Sequence, residues 1–187
     1  MARSDLALRR VRGAYERTHV LAAARGIALA GVLALAAVAL HRTTSTTWLV
    51  AATLAATLGA FGWRGGALRR GAFAGVLAGL PVFIAPAIVF SFTHGGMRCA
   101  DCELGPTLPC LLVCFGTSAF VGFVVGGYAM HDTSPRRFGL GAIATAALTG
   151  LLGCATTGLG GATGIVIGLV AGGVTGWVVA GPRARAA

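Results

Sequence analysis

The chain has 187 residues, 56% of them hydrophobic and 11% charged, with a mean hydropathy of +0.83, whereas soluble domains carry about 25% charged residues. That excludes an ordinary soluble domain, and thirty glycines without a three-residue repeat, in so apolar a chain, exclude collagen and intrinsic disorder. The formal charge of +10 comes from fifteen basic residues, all arginine, against five acids. These arginines lie between apolar blocks, so the expected partner is the lipid bilayer and no nucleic acid.

A span needs about 20 apolar residues to cross about 30 Å of hydrocarbon. Six blocks approach that length, at 20–40, 48–62, 71–93, 108–130, 139–156 and 159–181. The expected fold is an all-α membrane protein, a six-span transmembrane helical bundle over 20–181, with a basic arm at 1–19 and a tail at 182–187. Only Thr156-Thr157-Gly158 separates the last two blocks. It is read as a tight turn, because one helix through both would measure about 60 Å, twice the hydrocarbon thickness.

Short cytoplasmic loops collect arginine. Arg3, Arg9, Arg10, Arg12 and Arg17 precede the first block, and Arg64, Arg69 and Arg70 follow the second. Arg136 and Arg137 follow the fourth, and Arg183 and Arg185 follow the sixth. All of these fall on one face; Arg42 and Arg98 fall on the other, and Arg25 lies near enough to an end to snorkel. Both termini are therefore expected in the cytoplasm, in a multi-pass inner (plasma) membrane protein. Trp63, Tyr128 and Trp177 near the expected cytoplasmic ends, and Trp48 near an outer one, match an interfacial aromatic belt. Ala37-Val38-Ala39 resembles a signal-peptide cleavage site, but the long first block is read as an uncleaved anchor.

Small residues let membrane helices approach closely. The sixth block places Gly160, Gly164, Gly168, Gly172 and Gly176 at four-residue spacing, and the third places Gly71, Gly75 and Gly79 likewise. Cys110, Cys114, Ser118, Gly122 and Gly126 continue that spacing in the fourth block, and Ala142, Ala146, Gly150 and Cys154 in the fifth. Each stripe lies on one helix face and is read as a packing seam, with a pore lining or a homo-oligomer interface as alternatives. Pro81 and Pro86 are expected to kink the third span. Residues 71–80 and 160–169 resemble each other enough to raise an inverted repeat of two three-span halves.

No Asp, Glu, Lys, Arg or His occupies the central part of any block, and no phosphate loop or Ser–His pairing is present. Coupled pumping and enzymatic catalysis are thus not expected. Thr53, Thr57, Thr145 and Thr149 are read as bonding carbonyls one turn back.

The chemistry concentrates in the expected outer loop 94–110, which holds His94, Met97, Arg98, Cys99, Asp101, Cys102, Glu103 and Cys110, with Cys114 one turn further. Cys110 and Cys114, at i and i+4, are poorly placed to bridge each other and are expected to face Cys99 and Cys102. Three readings remain open: two disulfides stapling the loop; a Zn or Cu site made by Cys99, Cys102, Cys110 and Cys114, with His94 and Met97 as further ligands; and a thiol relay, which Asp101 and Glu103 disfavour by opposing a thiolate. Cys154 is read as a packing residue.

In the arm, Ser4-Asp5-Leu6 can start a helix that places Leu8, Val11 and Tyr15 on one face, and Gly13 weakens it. Arg9, Arg10, Arg12 and Arg17 then contact anionic lipid or dock a cytoplasmic regulatory protein. Asp5-Leu6 in a basic arm, together with Leu77-Ala-Gly-Leu80 leading to His94 and Cys99, resembles the polytopic membrane anti-sigma factors. This chain has four loop cysteines, and His94 is not adjacent to Cys99. The resemblance implies an arm that holds a sigma factor and outer cysteines involved in sensing stress. The functional expectation is a non-enzymatic membrane regulator or sensor; the alternatives are a small permease or channel for a soft metal or small solute, and a membrane thiol-disulfide relay.

Overall fold

The computed structural model describes residues 2–40, 45–92, 108–154 and 158–184, with side chains described for 15–40, 45–85, 88, 112–153 and 161–181. The described chain is helical throughout: α1 Ala2–Ala39, α2 Ser45–Arg64, α3 Gly66–Phe92, α4 Leu108–Ala129, α5 Pro135–Cys154 and α6 Gly158–Ala184. Helices that satisfy their own backbone groups are the form an apolar, glycine-rich chain can take in hydrocarbon, where no water is present to do so. Among the described residues, five stretches are long and apolar enough to cross a membrane: Tyr15–Ala39, Ser45–Arg64, Gly66–Ala85, Leu112–Ala129 and Gly161–Gly181.

The first helix joins the arm and the first span. It runs 38 residues without a break, through Gly13 and past the 19/20 boundary drawn between arm and span. At 1.5 Å per residue that is about 57 Å, so the rod extends well beyond any hydrocarbon layer that its apolar part crosses. The helix α3 continues through both Pro81 and Pro86. The fifth and sixth helices are separate, ending at Cys154 and starting at Gly158.

Packing follows the small residues. The first two helices form an antiparallel hairpin in which Gly26 meets Leu58 and Gly62 meets Ala23. The third and fifth run parallel: Gly71 faces the carbonyl of Phe138, Gly75 that of Ala142 and Gly79 that of Ala146, so the register advances in the same sense on both. The fourth and sixth also run parallel, with Gly168 against Phe115, Gly172 against Ala119 and Gly176 against Phe123. A Cβ at Gly75 or Gly172 would overlap a carbonyl oxygen of the neighbour, so only glycine permits these backbone approaches.

These three pairs assemble around α5, which touches every other helix. From 141 to 153 it has no exposed residue. One core cluster joins α1, α2, α3 and α5 through residues such as Leu33, Leu54, Val76 and Leu152. A second joins α3, α4, α5 and α6 through Val82, Val121, Ala146 and Ile165. The surroundings of α5 account for its composition. A helix enclosed by protein needs small residues for close contact more than long lipid-facing chains, and α5 carries four glycines, Thr145 and Thr149. With Arg136 and Arg137 in its first turn, it is not among the five stretches apolar enough to cross a membrane by composition.

Candidate functional site

Two glycines make the joint between α2 and α3. Gly65 and Gly66 have φ of 68° and 62°, a left-handed pair that side-chain-bearing residues adopt only with strain. The helices break there at Gly65, α2 ending at Arg64 and α3 starting at Gly66. Against this joint lies α1: His19 Nδ1 is 2.6 Å from the carbonyl oxygen of Trp63, which requires the proton on Nδ1, donated to that carbonyl. The His19 ring also packs on Tyr15, with centroids 4.3 Å apart, and meets Trp63 edge-on at 6.4 Å.

The turn between α4 and α5 reaches the same end of the bundle. Met130, His131 and Asp132 amides donate to Gly127, Tyr128 and Ala129 carbonyls, which tightens the end of α4. Asp132 then accepts from the Ser134 amide at 3.0 Å, and the Ser134 carbonyl accepts the first backbone bond of α5 from the Phe138 amide at 3.0 Å. Pro135 follows at the first helical position, where a missing amide proton costs nothing. Arg70 clamps this turn to α3, donating from Nε and an Nη to the two Asp132 carboxylate oxygens at 3.0 and 3.1 Å. The Ser134 amide, and after it the Arg70 guanidinium and Thr133 hydroxyl, hold the Asp132 carboxyl below the ordinary carboxylate range, against partial desolvation.

The carboxyl end of α6 comes to this end as well, since Gly181 approaches the Met130 side chain. The bundle thus gathers Arg64, Arg69, Arg70, Arg136 and Arg137 at one end, with the part of α1 that bears exposed Arg17 beside them. Arg9, Arg10 and Arg12 lie on the same helix nearer its start, and their side chains fall outside the described residues. Neither the Arg70–Asp132 pair nor the His19–Trp63 contact was anticipated from sequence. The available signal was Asp132-Thr-Ser-Pro135, an acidic turn residue before a proline-started helix and the sole acid among the basic loops at this end.

The cysteine loop reads differently. His94, Met97, Cys99 and Cys102 lie outside the described residues, and Cys110 is in the first turn of α4 with its side chain outside them. Cys114 is buried at 2% exposure, in the apolar cluster that includes Val82, Val121, Ile165 and Leu169. Gly164, Gly168, Gly172 and Gly176 lie on α6, the last three against α4 of the same chain; Gly160 falls outside the described side chains.

The threonines act as the spacing indicates, with one addition. Thr53, Thr57 and Thr149 each donate to the carbonyl one turn back, at 2.8, 2.7 and 2.8 Å. Thr145 shares its single hydroxyl proton between the Gly141 carbonyl one turn back and the Ala72 carbonyl of α3, each at 2.8 Å, a buried polar link between the parallel pair. No family model, curated protein or solved structure matches this chain.

Proposed function

We propose that this is a six-span membrane regulator in which α5 is the enclosed central span, and both termini lie with the arginine-rich end in the cytoplasm. The observation that carries the reading is the unbroken α1, which joins the basic arm to a membrane-capable segment as one continuous helix. A helix of this kind ties the position of the arm to the packing of the bundle. A flexible arm would not.

The bundle's interior favours regulation over conduction. Among the described residues, the buried polar side chains are Thr47, Ser118, Thr145 and Thr149, in a core of small apolar groups packed backbone to backbone. In this reading the outer loop, with Cys99, Cys102 and Cys110, holds a disulfide or a Zn or Cu ion together with His94, and Cys114 lies one turn below in the seam with α6. A change at the loop shifts α4, and the arm presents Arg9, Arg10, Arg12 and Arg17 to a cytoplasmic regulatory protein. A sigma factor is the partner implied by the resemblance to polytopic anti-sigma factors.

The test is photo-cross-linking from positions 8 and 12 in intact cells, with and without oxidant or excess Zn or Cu. The expected result is one cytoplasmic protein whose cross-linking yield changes with the treatment. Absence of a partner, together with flux of a soft metal through proteoliposomes, would overturn the regulatory reading in favour of a permease. Intact mass with and without reductant, read beside metal analysis, separates the loop chemistries. One missing proton pair means a disulfide within the loop, and thiols that all alkylate after unfolding, with stoichiometric metal, mean a metal site.

A further inference from the structure

The geometry points to a binding site for an anionic phospholipid at the start of α5, where Arg136 and Arg137 hold the phosphate and Trp177 flanks it. A groove of about 520 Å³ opens there, lined by Met130, Ser134, Pro135, Arg136, Arg137 and Trp177. Its charge has one sign. Asp132, the acid of the adjoining turn, is engaged by Arg70, and Arg136 and Arg137 make no ion pair among the described residues.

Three independent features make the groove fit a phosphate diester with apolar tails. Two exposed guanidiniums line it, and guanidinium is the side-chain group best matched to phosphate oxygens. The 20-residue helix α5 begins at the groove, so the positive end of its dipole lies beside the two arginines. An apolar track descends from it: Leu140, one turn below the arginines, is 67% exposed, and Val174, one turn from Trp177 on α6, is 55% exposed. Leu140 is also the last exposed residue of α5 before that helix becomes enclosed from 141 to 153.

A soluble phosphate compound would satisfy the arginines and leave that track without a role. A phospholipid satisfies both, because its headgroup lies at the level where Trp side chains prefer to sit and its chains run down the exposed face. The inference requires that this end of the bundle lie at a membrane surface. It does not depend on the regulatory reading or on which leaflet is involved.

The test uses the full chain with Trp48→Phe and Trp63→Phe, leaving Trp177 as the single indole, reconstituted in phosphatidylcholine vesicles. Trp177 fluorescence is quenched with brominated phosphatidylglycerol or brominated phosphatidylcholine at equal mole fraction. Phosphatidylglycerol is expected to quench severalfold more effectively at low mole fraction. Arg136→Gln and Arg137→Gln each lower the preference about fivefold, whereas Arg136→Lys with Arg137→Lys retains part of it. Arg64→Gln with Arg69→Gln removes two charges from the same end and should leave the preference intact. Equal quenching by the two lipids overturns the proposal. So does a loss in Arg64→Gln with Arg69→Gln equal to that in Arg136→Gln with Arg137→Gln, which would reduce the effect to the overall charge of this end.

Discussion

Arg70 on α3 and Asp132 in the turn before α5 form a forked ion pair, with guanidinium nitrogens 3.0 and 3.1 Å from the two carboxylate oxygens. Arg70 is half exposed while Asp132 is largely covered. The pair fastens the entrance of the α3–α5 seam at the level where Gly71 meets Phe138. It closes the same seam that the glycine contacts above it hold together.

The pair gives stability a defined pH dependence. The carboxyl is held below its ordinary value of 3.8 in the fold, so the unfolded chain binds the proton first as pH falls. The stabilisation is full above the unfolded value and is lost as pH drops through the folded one. Asp132→Asn keeps an acceptor for the Ser134 amide and removes the charge. The unfolding midpoints of wild type and Asp132→Asn in detergent should differ by a constant amount from pH 7 to about 4.5 and converge below that. A difference that persists unchanged to pH 2 would show that Arg70 does not act through the carboxylate charge.

Gly172 and Gly116 make a controlled comparison of close approach. A Cβ at Gly172 runs into the Ala119 carbonyl, whereas one at Gly116 meets nothing within 4 Å. Gly172→Ala should destabilise the bundle by about 1–3 kcal/mol through forced separation of α4 and α6. Gly116→Ala should be neutral or stabilising by up to about 1 kcal/mol from helix propensity. Unfolding in SDS mixed micelles reads both.

Thr145 and Thr149 differ by one hydrogen bond across the seam. Thr145→Val leaves the Ala72 carbonyl without the hydroxyl it accepts from, while Thr149→Val removes only a bond within α5. The expected cost for Thr145→Val is about 1 kcal/mol, with the Thr149→Val cost smaller. Equal effects in the same micelle assay would remove the interhelical bond from the account.

Enclosure of α5 bears directly on topology. If α5 spans the membrane, the count is even and fluorescent reporters on the two termini should both fold in the cytoplasm. If it does not, the termini lie on opposite sides and only one reporter should fluoresce.

Cys114 should resist a membrane-permeant maleimide in the folded protein, given its 2% exposure, and react fully once SDS unfolds the bundle. Rapid labelling in the native state would mean that the α4–α6 seam opens.

Apolar block lengths and arginine positions made the helical membrane class legible, because a bilayer imposes length and self-satisfied backbones on any segment that crosses it. They also made the hydroxyl partners of Thr53 and Thr57 legible, since those bonds are local. Helix ends were less so. Composition marks where the basic arm gives way to the apolar segment, but α1 runs through that boundary as one helix.

Pairing was decided by tertiary structure. The stripes at Gly71, Gly75 and Gly79 and at Gly168, Gly172 and Gly176 look interchangeable in sequence, and small residues at four-residue spacing fit almost any partner. Only the folded chain selects parallel α3 with α5 and parallel α4 with α6, brings Arg70 to Asp132 across 62 positions, and encloses α5. The sequence by itself determined which segments are apolar and where their charged ends lie, since both are local properties. The choice of neighbour depends on shape and register between distant segments, which no local pattern encodes.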